Sequence, residues 1–230
     1  MKHDWHVLCF TLPIMRIFKR TIAALALASL AAFRLSAAGP DLEAFFSKVS
    51  SSLVTFGYSF VCRTADSKMT GEGEVMLQDG CFRAGGNGLD ILCDGRTLWT
   101  VDTVSEEAVI ETLDTSSGSL TANPALLIAK AGESFSLLSS SVTSFSGQPA
   151  EKAVLTPKTA PKSSSDISGL SLYFKKGTLV LLGAEVGMKD GTVTTFTLKD
   201  FKYSPKLENK ESFRLDEKTL DSSYVVTDLR

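Results

Sequence analysis

The sequence predicts a mainly β protein. It reads as one antiparallel sheet of about eleven strands, strongly curved or partly closed into a barrel, with a helix in front and a short apolar helix set between strands. Three observations carry this. From Thr55 onward the residues alternate with period two, as in Phe56, Tyr58, Phe60 and Cys62 against Gly57, Ser59 and Val61, which is the repeat of a pleated strand. The runs are joined by short turn sequences such as Asp94-Gly95, Lys176-Gly177 and Asp190-Gly191, which suit tight reversals. Strands do not alternate with helices, so a parallel α/β sheet is excluded.

The elements follow in order. Pro40 to Leu53 is an amphipathic helix: Pro40 suits the first helical position, and Leu42, Phe45, Phe46, Val49 and Leu53 recur at three- and four-residue spacing. Such a stripe needs a sheet to lie on. Strands are expected at 55–63 and 68–77, then in a short hairpin of 82–84 and 89–93, then at 96–102 and 107–113. Asn123 can cap a helix and Pro124 fits its first turn, so Asn123 to Lys130 makes a short apolar helix placed as a lid. Further strands are expected at 135–139, 142–145, 152–156, 170–175, 178–186 and 192–203, with 212–215 and 224–228 closing the chain. Pro157 to Ser165 is rich in Lys, Pro and Ser and reads as an exposed loop. Residues 39–230 are expected to form a single domain.

Residues 1–38 read as a secretory signal peptide. Arg16, Lys19 and Arg20 are positive, Thr21 to Ala32 is apolar, and Ser36-Ala37-Ala38 offers a cleavage site after Ala38. The apolar run is shorter than the ~20 residues a spanning helix needs. Met15 is a second candidate start. Removal of this segment changes the composition. Both histidines, His3 and His6, leave with it, as does Cys9. What remains is 192 residues with 19 Lys/Arg against 25 Asp/Glu, a net charge of −6 instead of −2. Without histidine there is no Ser-His-Asp triad, no Cys-His pair and no His-ligated metal. Without a basic patch, nucleic acid is not an expected partner. Export implies an oxidising compartment, in which cysteines can pair.

Few residues carry chemistry, so no catalytic residue, metal site or cofactor is assigned. The serines cluster in loops without a base. Glu106 and Glu107 are adjacent, so they point to opposite faces of a strand. Gly85, Gly86 and Gly88 lie in a hairpin with no following helix, which excludes a phosphate loop. Cys81 and Cys93 flank that turn nearly opposite one another, either as a disulfide or as two buried thiols, and Cys62 is left over. The abundant resource is apolar: eleven Phe, four Tyr and one Trp after Ala38. The stripe of Phe56, Tyr58 and Phe60 is either ordinary core or the lining of a ligand cavity, because alternation alone does not say which face is hollow.

Several stretches resemble the periplasmic outer-membrane lipoprotein carrier family (LolA-like). They are Gly71-Glu72-Gly73-Glu74-Val75-Met76-Leu77, then Cys81-Phe82-Arg83, then Asp94-Gly95-Arg96-Thr97-Leu98-Trp99. Asn123-Pro124-Ala125-Leu126-Leu127-Ile128 is similar to that family's lid helix, Leu155-Thr156-Pro157-Lys158 to a strand end, and Ser212-Phe213-Arg214-Leu215 to a late strand. The resemblance implies an incomplete, half-closed antiparallel β-barrel with helices as a lid. It implies a non-enzymatic, monomeric carrier that shields lipoprotein acyl chains between an inner-membrane ABC transporter and an outer-membrane acceptor. Phe82, Leu98, Trp99, Leu126, Leu127 and Ile128 would then line or close the acyl-chain site, with Phe56, Tyr58 and Phe60 beside them. Two positions depart from the family. Gln78-Asp79 stands where an Arg-Pro pair often latches the lid, and Ala84 stands where an aromatic is common. A carrier of another lipid, or a lipid-sensing or interaction module on the same fold, is the alternative these departures favour.

Overall fold

The structure, a computed structural model, describes residues 39–113, 123–158 and 166–230. The expected signal peptide and residues 159–165 of the Pro157–Ser165 loop lie outside the described residues.

The first helix, α1 (Leu42–Ser50), is shorter than the periodicity predicts. Asp41, not the residue before Pro40, caps it: its carboxylate accepts from the Ala44 N–H at 2.9 Å. Ser51 closes it, and Leu53 already belongs to the first strand. A short polar side chain that satisfies a free helix N–H outcompetes proline for setting the start. The second helix, α2 (Pro124–Ser134), is longer than expected. Its cap follows the sequence: Asn123 Oδ1 accepts from the N–H groups of Ala125 and Leu126 at 2.9 and 3.3 Å.

Among the described residues twelve strands form one open sheet. They are β1 (Leu53–Arg63), β2 (Lys68–Gln78), β3 (Cys81–Gly86), β4 (Leu89–Cys93), β5 (Thr97–Asp102), β6 (Glu107–Thr112), β7 (Phe135–Phe145), β8 (Gln148–Pro157), β9 (Ile167–Lys175), β10 (Leu181–Met188), β11 (Val193–Ser204) and β12 (Val225–Asp228). The spatial order is β12-β6-β5-β4-β3-β2-β1-β11-β10-β9-β8-β7. The chain therefore starts in the middle of the sheet and builds outward to β6. It then passes through α2 to the far edge and returns hairpin by hairpin until β11 meets β1. All neighbours are antiparallel except β12, which lies parallel to β6.

Two expectations are corrected here. The stretches 135–139 and 142–145 form one strand, β7, because Ser139 to Ser141 pair with Val154 to Lys152 rather than turning. The reversal comes at Ser146-Gly147, both with positive φ. The stretch 212–215 is not a strand. Glu211–Phe213 is a 3-10 turn that drops Phe213 into a pocket with Leu53 and Cys81, crossing the sheet's face where no edge is free to pair.

The sheet must curl. α2 contacts β3 and β2 on one side and β7 on the other. β3 and β7 are seven positions apart in the sheet order, or ~33 Å if flat. A helix of 11 residues is only ~16 Å long. The main core collects accordingly on the helix-covered face, from Val54, Phe56, Val75 and Phe82 round to Leu155, Leu172 and Phe174. Two smaller clusters occupy the other face, under the segment that follows β11. Among the described residues no helix is long and apolar enough to cross a membrane.

Candidate functional site

The candidate site is the apolar interior between the sheet and its two helices. α2 is the most telling part. Asn123 starts it, and Ala125, Leu126, Leu127, Ile128 and Ala131 are all buried. At its other end the Phe135 N–H donates to the Ala131 carbonyl, and Lys158 donates its backbone N–H to the Ser134 carbonyl and its Nζ to the Gly132 carbonyl, both at 2.9 Å. A cation on the last carbonyls of a helix also complements the helix dipole. α1 lies beside α2 and sends Phe45 into the same interior, edge-on to Phe174 at 4.9 Å.

Between the helices lies a cavity of about 690 Å³, a size that suits a small-molecule ligand. Phe46, Val49, Leu77, Ile128 and Ala129 give it an apolar wall. Its rim is charged: Glu43, Asp79, and the Lys130–Glu133 pair at 3.0 Å. A larger cavity of about 1110 Å³ opens over β1 to β3, where the expected site residues Phe56 and Tyr58 share its lining with Glu72, Glu74, Arg83 and Lys202. Arg83 grips Asp90 there through two hydrogen bonds of 3.0 and 2.6 Å. Its lining mixes these rings with many charged groups, so an apolar ligand is better matched by the smaller cavity between the helices.

Eight of the nine residues expected to bind lipid face the helix-covered interior. Phe56, Phe82, Leu126, Leu127 and Ile128 are buried in it, and Tyr58, Phe60 and Leu98 are half-buried against it. Ile128 borders the cavity. Trp99 does not belong with them. It pairs with Leu92 and Ile110 and packs with them and Leu215 on the opposite face. The adjacent residue, Leu98, faces the interior, as strand alternation requires. Trp99 therefore leaves the site.

Of the two alternatives open for Cys81 and Cys93, the structure has the buried thiols, both free. The hairpin turns on Asn87-Gly88 alone, both with positive φ, so Cys93 pairs with Phe82. Cys81 is thus one position out of register and faces the other side, with Leu53 and Phe213. Burial pushes the Cys93 thiol up to about 11, which keeps it protonated and unreactive. Burial likewise raises Tyr58, and Tyr203 to about 12. Among the described residues no cluster of His, Cys, Asp or Glu could hold a metal ion. The described interior offers chiefly apolar surface.

The motifs that marked the sequence turn out to build the scaffold. The Asp94 carboxylate accepts from the N–H groups of Arg96 and Thr97 at 3.0 and 2.9 Å and from Arg214 Nε at 3.1 Å. It closes the β4–β5 turn and fastens the C-terminal segment. Gly71 and Gly73 lie under the rings of β1: a Cβ at Gly71 would be 2.5 Å from Phe60, and one at Gly73 2.9 Å from Tyr58. Gln78 and Asp79 hold the C-terminal segment as well. Gln78 exchanges hydrogen bonds of 2.7 and 3.1 Å with the backbone of Leu207, and Asp79 pairs with Lys206. Residues the sequence reading did not place in the site are Phe45, Phe46, Ala129 and Lys158. The stripe Phe45, Phe46, Val49 was a visible signal, whereas nothing local marks Lys158 as a helix clamp.

The sequence model of the family described as "Outer membrane lipoprotein carrier protein LolA" matches residues 55–216. No curated protein matches the chain. The chain is also similar, at low identity, to several solved structures. An uncharacterized conserved protein from Thermus thermophilus is 11% identical with a TM-score of 0.49, covering 82% of this chain and 99% of its own. A LolA superfamily protein from Nitrosomonas europaea is 16% identical with a TM-score of 0.43, covering 76% and 97%. A putative outer membrane lipoprotein-sorting protein domain from Vibrio parahaemolyticus is 12% identical with a TM-score of 0.36, covering 76% and 95%.

Proposed function

This chain belongs to the LolA family of outer membrane lipoprotein carrier proteins, and from that premise we propose that it is a periplasmic carrier of lipoprotein acyl chains. It takes its cargo from an inner-membrane ABC transporter, shields the chains in the helix-covered interior, and yields them to an outer-membrane acceptor. It breaks no covalent bond and works as a single copy per cargo. The observation that supports this reading is α2, a short helix whose apolar residues are buried against an apolar sheet face, with a cavity of about 690 Å³ at its side.

Magnitudes make α2 a reasonable displaceable lid. Burying a Leu or Ile side chain is worth roughly 1.5–3 kcal/mol, so Leu126, Leu127 and Ile128 together hold α2 with roughly 5–9 kcal/mol. An acyl chain of about sixteen carbons gains roughly 12 kcal/mol at ~0.8 kcal/mol per CH₂. A chain entering under α2 therefore replaces lost contacts with a modest surplus. A modest surplus is what a carrier needs, because its cargo must leave again.

The test is loading. Protein isolated from its native membranes is expected to carry lipid detectable by mass spectrometry, and purified protein to bind a fluorescent fatty acid. Ala129→Trp, which fills the cavity beside α2, is expected to weaken that binding about tenfold while thermal stability is kept. Unchanged affinity removes this cavity from the site, and no binding of either ligand removes the carrier reading. A second reading, a lipid-sensing or interaction module, is favoured by one observation: the interior beneath α2 is filled by the helix's own side chains. A protein that stays empty through both loading assays is that module.

A further inference from the structure

We propose, on the basis of the carrier reading above, that Lys206 neutralises Asp79 at the rim of the cavity between the helices so that an acyl chain can lie there, and that chain binding and docking of the C-terminal segment strengthen each other. The observation behind this is one turn with two duties. β2 and β3 are joined by Asp79-Gly80 alone. Both have positive φ, 51° and 75°, as in a tight two-residue hairpin turn. On one side Leu77, Asp79 and Gly80 form part of the cavity wall, together with Phe46, Ile128 and Ala129. On the other side Gln78 and Cys81 meet the segment that follows β11. Gln78 exchanges hydrogen bonds with the Leu207 backbone, and Cys81 packs with Phe213.

Lys206 is set beside Asp79 by its neighbours. The N–H and the carbonyl of Leu207 are both held by Gln78, a residue only 2% exposed, and Phe213 is fully buried a little further on. The Lys206 ammonium pairs with the Asp79 carboxylate, and the two side chains are 36% and 35% exposed. With the cavity unloaded, water serves both charges and the pair contributes little. Loading changes this. An apolar chain in the cavity takes water from the rim, and a carboxylate without water is tolerated only when it is paired. Asp79 cannot turn away, because the tight turn fixes its backbone and its side chain is short. The other rim acids differ: Glu133 is paired with Lys130 on its own helix, and Glu43 is exposed on a longer side chain.

Lys206 is therefore a positioning residue that acts through Asp79. The coupling is reciprocal by linkage: the chain that needs Lys206 on Asp79 also holds the segment that carries Lys206. Arg214 on Asp94 and Leu215 against Trp99 keep that segment docked when the pair is lost, so variants at 79 and 206 keep the fold.

An uncharged probe, a pyrene-labelled dodecanol, removes any direct attraction between ligand and Lys206. Full-chain K206M is expected to bind it about tenfold more weakly than the parent. D79N, whose Asn suits a positive φ, is expected to bind at least as tightly as the parent, and D79N/K206M to bind like D79N. Loading is expected to slow hydrogen exchange of the Leu207 N–H about fivefold in the parent and not in D79N. A K206M that binds like the parent, a D79N weaker than the parent, a double variant as weak as K206M, or a Leu207 exchange rate unmoved by loading overturns the proposal while the parent's binding leaves the carrier reading standing. A parent that binds neither this probe nor the fluorescent fatty acid overturns both.

Discussion

Lys158 does the work of two caps at one helix end, holding the Gly132 and Ser134 carbonyls. Lys158→Met keeps the backbone bond and removes the charged one. Hydrogen exchange in the last turn of α2 is expected to quicken about fivefold, for a loss of ~1 kcal/mol, and fatty-acid uptake to quicken with it. Asp94 is the second decisive residue. Burial pushes its carboxyl up, but the Thr97 and Arg96 N–H groups and then the Arg214 guanidinium pull it down further, leaving it below the ordinary value of 3.8. A lowered folded value means that the stabilisation is present above 3.8 and is lost as the pH falls through the folded value. Thermal unfolding from neutral to about pH 3 should therefore show a smaller acid-induced drop in Asp94→Asn than in the parent. At this scale the sequence was only half legible. Asp94-Gly95 announces a turn by its own chemistry, whereas Arg214 reaches it from 120 positions away, and no local pattern encodes that meeting.

The elements themselves were easier to read, because period and turn chemistry are local. β1 to β6 follow the alternation closely, and the Asn123 cap and Pro124 start of α2 are as the residue types demand. Asn123→Ala is expected to cost about 1 kcal/mol of stability, read as a lower unfolding midpoint. Misreadings arose where two local signals competed. Pro40 and Asp41 both suit a helix start, and the side chain that bonds a free N–H prevailed. The serines of β7 resemble a loop until β8 gives them partners. Cys81 and Cys93 depended on a one-residue choice of turn within Gly85-Gly86-Asn87-Gly88, and register is unforgiving at that level. Because those thiols are free, a reductant should leave the thermal midpoint unchanged, and unfolding should expose Cys62, Cys81 and Cys93 to a thiol reagent.

For the whole molecule, a single antiparallel curved sheet with a lid was foreseeable from strand count, apolar content and the lack of alternating helices. What lay beyond reach was the direction each face points. Trp99 and Leu98 are adjacent and equally apolar, and only the path of the segment after β11 decides that Trp99 is covered by Leu215 while Leu98 looks inward. The order of the strands has one more consequence. β1 is flanked by β2, its next neighbour in the chain, and by β11, whose residues lie far off: Arg63 meets Val193 and Leu53 meets Ser204. Those pairs close loops of 130 and 151 positions. Folding speed falls as contacts become more distant in sequence, so the seam between β1 and β11 forms late. Until Val193 to Ser204 are available the first six strands have no partner for one side of β1. A slow seam of this kind keeps the polypeptide threadable for longer, and stopped-flow refolding should show its signature in Phe201 and Tyr203 ordering after the β2–β5 hairpins.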